Sequence, residues 1–183
     1  MSLQQVRLKY SIVACRIHTL TDPAHKFKIR KNADQMNLTG VSISNPAFGM
    51  VYVEGAAKFI RNYKKLMLNR ISWTVAARPR GANEKQGGNE DGDGDGDEGV
   101  SENAQEGGVD RATSLLEVVS LEDNRCWLVW EGQLRDRAFS GFKERACPTD
   151  SSAKDMLGEK LAGYWDQTKN WKPGEEDLFR AMD

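Results

Sequence analysis

Residues 6–36 read VRLKYSIVACRIHTLTDPAHKFKIRKNADQM. Val6–Thr19 is rich in β-branched residues and partly alternates, which predicts a strand. Thr21-Asp22-Pro23 then opens a helix. The Asp22 side chain can accept from free N–H groups of the first turn, and Pro23 suits the first helical position, where its missing donor costs nothing. Ile29, Ala33 and Met36 recur at i, i+4 and i+7, so the helix runs to about Met36 with one buried stripe.

Gly40 stops that helix, and Val41–Ser44 is a short strand. Asn45-Pro46 with Phe48-Gly49 is turn chemistry, and Met50–Glu54 returns as the second strand of a hairpin. Gly55 breaks into a second helix from Ala56 to about Arg70, with Phe59, Ile60, Tyr63, Leu66 and Met67 as its apolar face. Far downstream, Arg125–Glu131 (RCWLVWE) is strongly apolar and reads as a central strand buried on both faces. Phe142–Cys147 is a further candidate strand, ended by Pro148. A last helix spans about Ser152–Trp165, with Met156, Leu157, Leu161 and Tyr164 inward. The order β-α-β-β-α-β is the split βαβ arrangement. Its sixth element is either Ile71–Val75 or Arg125–Glu131, the second being preferred.

The expected class is therefore α+β: a ferredoxin-like antiparallel sheet with two helices on one face, a long disordered acidic insert and an extra C-terminal helix. Residues 1–80 form the first part, 81–113 the Gly-rich acidic insert, 114–171 the remaining strands and helix, and 172–183 a tail. The insert is expected because residues 83–123 hold 8 of the 17 glycines and 13 acids, with no aromatic residue. Such a segment buries too little apolar surface to offset its ordering entropy. Ser114–Leu121 (SLLEVVSL) is apolar enough to be a strand or helix lead-in, which leaves the second boundary soft.

Over all 183 residues the net charge is -1, but it is unevenly spread. Residues 1–82 carry 14 basic and 3 acidic residues (+11), residues 83–123 carry 2 and 13 (-11), and residues 124–183 carry 10 and 11 (-1). No apolar run approaches the ~20 residues of a membrane span, and MSLQQVRLKY lacks the apolar core of a signal peptide. Cys15, Cys126 and Cys147 are odd in number with no CxxC spacing, which points away from a disulfide framework or zinc site and toward cytosol or nucleus. With only His18 and His25, a His-based triad is hard to build.

Asp91-Gly92-Asp93-Gly94-Asp95-Gly96 followed by Glu102 matches a calcium-loop pattern literally. The apolar eighth position is Glu98 and neither flank is an amphipathic helix, so composition alone accounts for the match. The basic groups say more. Lys26, Lys28, Arg30 and Lys31 crowd a turn and a half of the first helix, and Lys58, Arg61, Lys64, Lys65 and Arg70 repeat the theme on the second. One such helix is an ordinary solvated face. Two in a +11 segment point to a polyanion partner. Arg135, Arg137, Lys143 and Arg145 extend the set, although Asp136 and Glu144 dilute it. Trp127 and Trp130 lie on one strand and should face opposite sides. One is core; the other, Trp130 in the site reading, stacks an unpaired base if the sheet face is open, or packs on the C-terminal helix if that covers it. Glu54 before Gly55 and Glu131 before Gly132 are the candidate carboxylate pair, and both read more simply as strand-end residues. No phosphate-cradling loop, nucleophile elbow or metal triad stands out, so no enzyme, cofactor or small-molecule substrate is expected.

A longer pattern runs through these residues. It comprises Asp22-Pro23-Ala24, the Lys26–Ala33 run KFKIRKNA, Gln35-Met36 and Leu38-Thr39-Gly40. Val53-Glu54-Gly55, Lys65–Leu68 with Arg70-Ile71 and Trp73, Leu128–Gly132, Arg137 with Phe139, Cys147-Pro148-Thr149 and Tyr164-Trp165-Asp166 follow in order. The whole resembles the C-terminal domain of the pre-mRNA-processing factor 3 family of the spliceosomal U4/U6 particle, over about two thirds of the chain. The resemblance implies a ferredoxin-like fold and a nuclear, non-enzymatic RNA-binding module for splicing. Its implied partners are the single-stranded 3′ region of U6 RNA beside the U4/U6 duplex, and other U4/U6 and tri-snRNP proteins. The family's basic helix maps onto Lys26, Lys28, Arg30 and Lys31. A weaker likeness is to the domain appended to some RWD-domain proteins, which implies instead a protein-interaction scaffold with incidental RNA affinity.

Overall fold

A computed structural model describes residues 9–76 and 120–174. The acidic insert with its Asp-Gly run, the SLLEVVSL lead-in but for its last residues, and the tail beyond Gly174 lie outside the described residues.

The chain opens with strand β1 (Tyr10–Ile17) and helix α1 (Pro23–Gln35). The expected cap is present: Asp22 Oδ1 accepts from the N–H groups of Ala24 at 2.9 Å and His25 at 3.2 Å. Ile29 and Ala33 are buried, and so is His25, which the stripe did not include. Strands β2 (Thr39–Ser44) and β3 (Gly49–Gly55) form the hairpin, and in its turn Asn45 Oδ1 accepts from the Ala47 N–H at 3.0 Å. Gly40 has φ +150°, and a Cβ there would lie 2.0 Å from the Tyr52 carbonyl oxygen, so only glycine lets these strands close. Helix α2 (Ala57–Lys65) ends in a π-helical turn, Leu66–Arg70. Strands β4 (Cys126–Leu134) and β5 (Phe142–Ala146) and helices α3 (Asp150–Leu157) and α4 (Ala162–Asn170) complete the described fold.

The sheet order is β4-β1-β3-β2-β5. The first four strands pair antiparallel in the ferredoxin-like arrangement, and β5 adds parallel to β2. Side chains alternate between two cores. Val13, Cys15, Ile17, Val51 and Val53 pack with Ile29, Ala33, Ile60, Tyr63 and Met67 of the first helical layer. Ile12, Ala14, Val41, Ile43, Met50 and Tyr52 pack with Ala153, Leu157, Leu161 and Trp165 of the second. The sheet thus lies between two helical layers.

Four expectations need correction. The expected single last helix is two, because Gly158 at φ +81° breaks it. Trp165, placed at its end, is instead fully buried, stacked on Phe48 at 4.6 Å and donating to Asp150 Oδ1 at 3.0 Å. The strand around Arg125–Glu131 is the sixth element, but it is an edge strand, with Trp130 and Glu131 exposed. Cys126 and Leu128 turn into the α1/α2 core, while the alternate side chains of the run stay only partly covered at the sheet edge. Trp127 and Trp130 share a face: pairing with β1 shifts between Ala14 and Cys15, where Val129 is left over as a bulge. Trp127 then lies opposite Arg16 and Trp130 opposite Ala14, both on the α3/α4 side. Finally, Phe59, assigned to the apolar face of α2, is 39% exposed.

A buried carboxylate fixes the β4–β5 connection. Glu54 accepts from Thr39 Oγ1 at 3.0 Å, Tyr52 OH at 3.3 Å and the Phe139 N–H at 2.6 Å. Burial, and next the Glu54 charge, push the Tyr52 hydroxyl far up, so it keeps the proton it donates to Glu54. On the same face Arg16 donates to the carbonyls of Thr168 at 3.0 Å and Lys169 at 3.3 Å, capping the end of α4.

Candidate nucleic-acid interface

Helices α1 and α2 lie side by side on one sheet face, and the Tyr63 hydroxyl of α2 donates to the Ile29 carbonyl of α1 at 3.0 Å. The inward stripes force most of the cations outward. On α1, Lys28, Arg30 and Lys31 are exposed and Lys26 is half-buried. On α2, Lys58, Arg61 and Lys65 are exposed, as is Arg70 at the end of the π-helical turn. Lys64 turns toward the sheet edge and pairs with Glu131 of β4 at 2.8 Å. Arg61, Lys64, Glu131, Gln133 and Ser11 line a shallow groove of about 290 Å³ between α2 and the β1/β4 edge. The sequence of α2 contains no acid, and that of α1 only Asp34. Nine cations named from the sequence thus belong to one helical layer.

The other three candidates are placed differently. Arg137 sits in the β4–β5 connection, donating to the Asn37 carbonyl at 3.0 Å with its guanidinium 5.0 Å from the Tyr10 ring centre. Those contacts pin the connection to the end of α1. Lys143 pairs in register with Val41, whose side chain belongs to the α3/α4 core, so Lys143 points to the far face. Trp130 is also on that face, 41% exposed and 6.1 Å from Tyr164. Helices α3 and α4 cover the middle of that face, and Trp130 stands at its β4 edge.

The carboxylate pair does not form. Glu54 points with Ile12 into the α3/α4 core, whereas Glu131 points with Val13 toward α2. Cys15, Cys126 and Cys147 are free and buried, and burial pushes the Cys126 and Cys147 thiols up, which holds them protonated at neutral pH.

One residue was overlooked in the sequence. Phe27 is 50% exposed on α1, with Arg30 at 5.9 Å and Lys31 at 5.6 Å from its ring centre. The signal was present: Phe27 is off the His25–Ile29–Ala33 stripe, about 200° around the helix from Ile29.

Fold and surface together define a ferredoxin-like domain with a second helical layer and one strongly basic face. The family model for "Small nuclear ribonucleoprotein Prp3, C-terminal domain" matches residues 13–168, and the chain belongs to that family. It is 34% identical over 162 residues to the U4/U5/U6 small nuclear ribonucleoprotein prp3 of Schizosaccharomyces pombe, covering 85% of this chain and 25% of that protein. It is 32% identical over 157 residues to Protein RDM16 of Arabidopsis thaliana, covering 85% of this chain and 16% of that protein. The chain therefore spans a quarter or less of the length of these relatives. Among solved structures, full-length HypF in its phosphate- and nucleotide-bound form is similar at a TM-score of 0.39 and 11% identity, over 76% of this chain and 12% of that one, too distant to carry an argument.

Proposed function

We propose that this chain is a non-enzymatic RNA-binding module of a spliceosomal U4/U6 ribonucleoprotein, acting in the nucleus during pre-mRNA splicing. Its ligand is the single-stranded 3′ region of U6 RNA next to the U4/U6 duplex, in the company of other U4/U6 and tri-snRNP proteins. One observation carries the reading: two adjacent helices turn their cations outward from one sheet face, with almost no acid between them. Membership of the family and the name of the fission-yeast relative support the particle. The RNA backbone lies along α1 and α2, contacting Lys28, Arg30 and Lys31 with Lys58, Arg61 and Lys65, and Lys26 and Arg70 at the margins. Lys64 joins when a phosphate displaces Glu131. Lys143 and Trp130 stand on the other face of the sheet, beyond the reach of a strand on this track.

Fluorescence anisotropy with a labelled U6 3′ single strand, at two salt concentrations and against a scrambled strand, tests the proposal. Tight binding that favours the authentic strand and weakens steeply with salt is expected, because each neutralised phosphate releases condensed counterions. Equal affinity for both strands would move the reading to a protein-interaction scaffold whose cations dock acidic protein surfaces.

A further inference from the structure

Phe27 is the anomaly of the basic face. It stands in the middle of Lys26–Lys31, half exposed, on the side of α1 away from the core. Packing does not need it there, since His25, Ile29 and Ala33 fill the buried stripe. The neighbouring Arg30 and Lys31 approach its ring only to 5.9 and 5.6 Å. Those separations lie at the outer limit of a cation–π contact, about 6 Å, so the ring is readily uncovered.

Cations alone call for a polyanion. Cations around an exposed aromatic ring call for a polyanion that carries its own π faces next to its charges. A single-stranded nucleic acid does so, because its bases are unstacked and free to splay. A duplex does not, because its bases are stacked inside and only phosphates face the helix. An acidic peptide satisfies Arg30 and Lys31 but leaves the ring in water.

We propose that Phe27 is a stacking platform for one unpaired base, and that it makes α1 prefer single-stranded RNA to duplex. The base covers the ring while Arg30 and Lys31 swing to the phosphates on either side of it. This rests on the RNA-binding reading above, and it adds the residue that distinguishes paired from unpaired nucleotides.

The test compares the whole chain with its Phe27→Leu and Phe27→Trp variants. The probes are a U6 3′ single strand carrying one 2-aminopurine, and an RNA duplex of equal charge. Wild type is expected to quench the 2-aminopurine. Phe27→Leu keeps the apolar bulk but loses the π face. It should bind the single strand about ten-fold more weakly, in line with the worth of one stacked base, without quenching. Its salt slope and duplex affinity should match wild type, because no phosphate contact is removed. Phe27→Trp should restore both affinity and quenching. Thermal melts should agree among all three, since the side chain is outside the core. Wild-type single-strand affinity in Phe27→Leu would overturn the platform while leaving RNA binding intact. An equal loss for single strand and duplex would overturn it too, by making Phe27 a general surface element. Failure of wild type to bind any RNA would sink both readings.

Discussion

The two faces of the sheet carry helices of different electrostatic character, one strongly basic and the other near neutral. On the α3/α4 face, charge is matched within the fold: Lys154 pairs with Asp166 at 2.9 Å, Lys169 with Asp150, and Arg16 caps the last carbonyls of α4. On the α1/α2 face the cations have one acid, Asp34, within the helices. Most aromatic residues are packed on either face, Tyr63 and Trp73 in the α1/α2 core among them. Phe48 with Trp165 and Tyr52 with Tyr164 pack against one another on the first face, while on the second Phe27 is half exposed, with Arg30 and Lys31 beside its ring. A side chain whose partner is inside the fold works for stability. One whose partner is missing is available to a ligand.

That division makes predictions, and substitutions on the α3/α4 face should act on stability. Trp165→Ala removes a fully buried ring and its bond to Asp150, and should cost about 3–5 kcal/mol in denaturant unfolding. The folded fraction should still bind RNA normally at low denaturant; a loss of RNA affinity in that fraction would break the comparison. Glu54→Ala orphans the Thr39, Tyr52 and Phe139 donors and should cost about 3 kcal/mol by the same measurement.

On the other face the effects should reverse. Lys28→Glu with Arg30→Glu should weaken RNA binding by more than about ten-fold and lower the salt slope by about two. The melting temperature should stay near wild type, because both side chains are exposed. RNA affinity unchanged in this folded double mutant would remove α1 from the interface.

A pH titration separates the faces more finely. The bond from Lys169, and next that from Trp165, hold the Asp150 carboxyl below its ordinary value. A lowered folded value means stability that is present above the unfolded pKa of about 3.9 and is lost as pH falls through the folded one. The α3–α4 seam should therefore loosen below about pH 4, seen as a rise in tryptophan exposure, and Asp150→Asn should flatten that response. The smallest effect belongs to the half-exposed Lys64–Glu131 pair, whose loss in Glu131→Gln should change stability by less than about 1 kcal/mol. The same change frees Lys64, and RNA affinity should rise slightly rather than fall.

Much of the fold was legible because its signals are local. Asp22, Pro23 and the Ile29–Ala33 stripe specify α1 within a few turns, and Asn45 closes the hairpin with its own side chain. The cations of α1 and α2 could be assigned to outer faces because 3.6-residue periodicity places them opposite the apolar stripe. Trp130 and Lys143 could not be placed that way. Their facing depends on register with β1 and β2, whose residues lie about a hundred positions earlier in the chain, and for Trp130 on a bulge at Val129.

The sequence by itself determined the order of the strands and of the first two helices, the Asp22 cap, and the excess of positive charge in its first part. These follow from backbone preference and side-chain period, which act between near neighbours. Only the tertiary structure decided that β4 is an edge, that α3 and α4 close the second face of the sheet, and that Glu54 belongs to a buried clamp. It alone left Phe27 in water among its cations. Burial is a property of what comes to lie on a residue from elsewhere in the chain, and no local pattern records that.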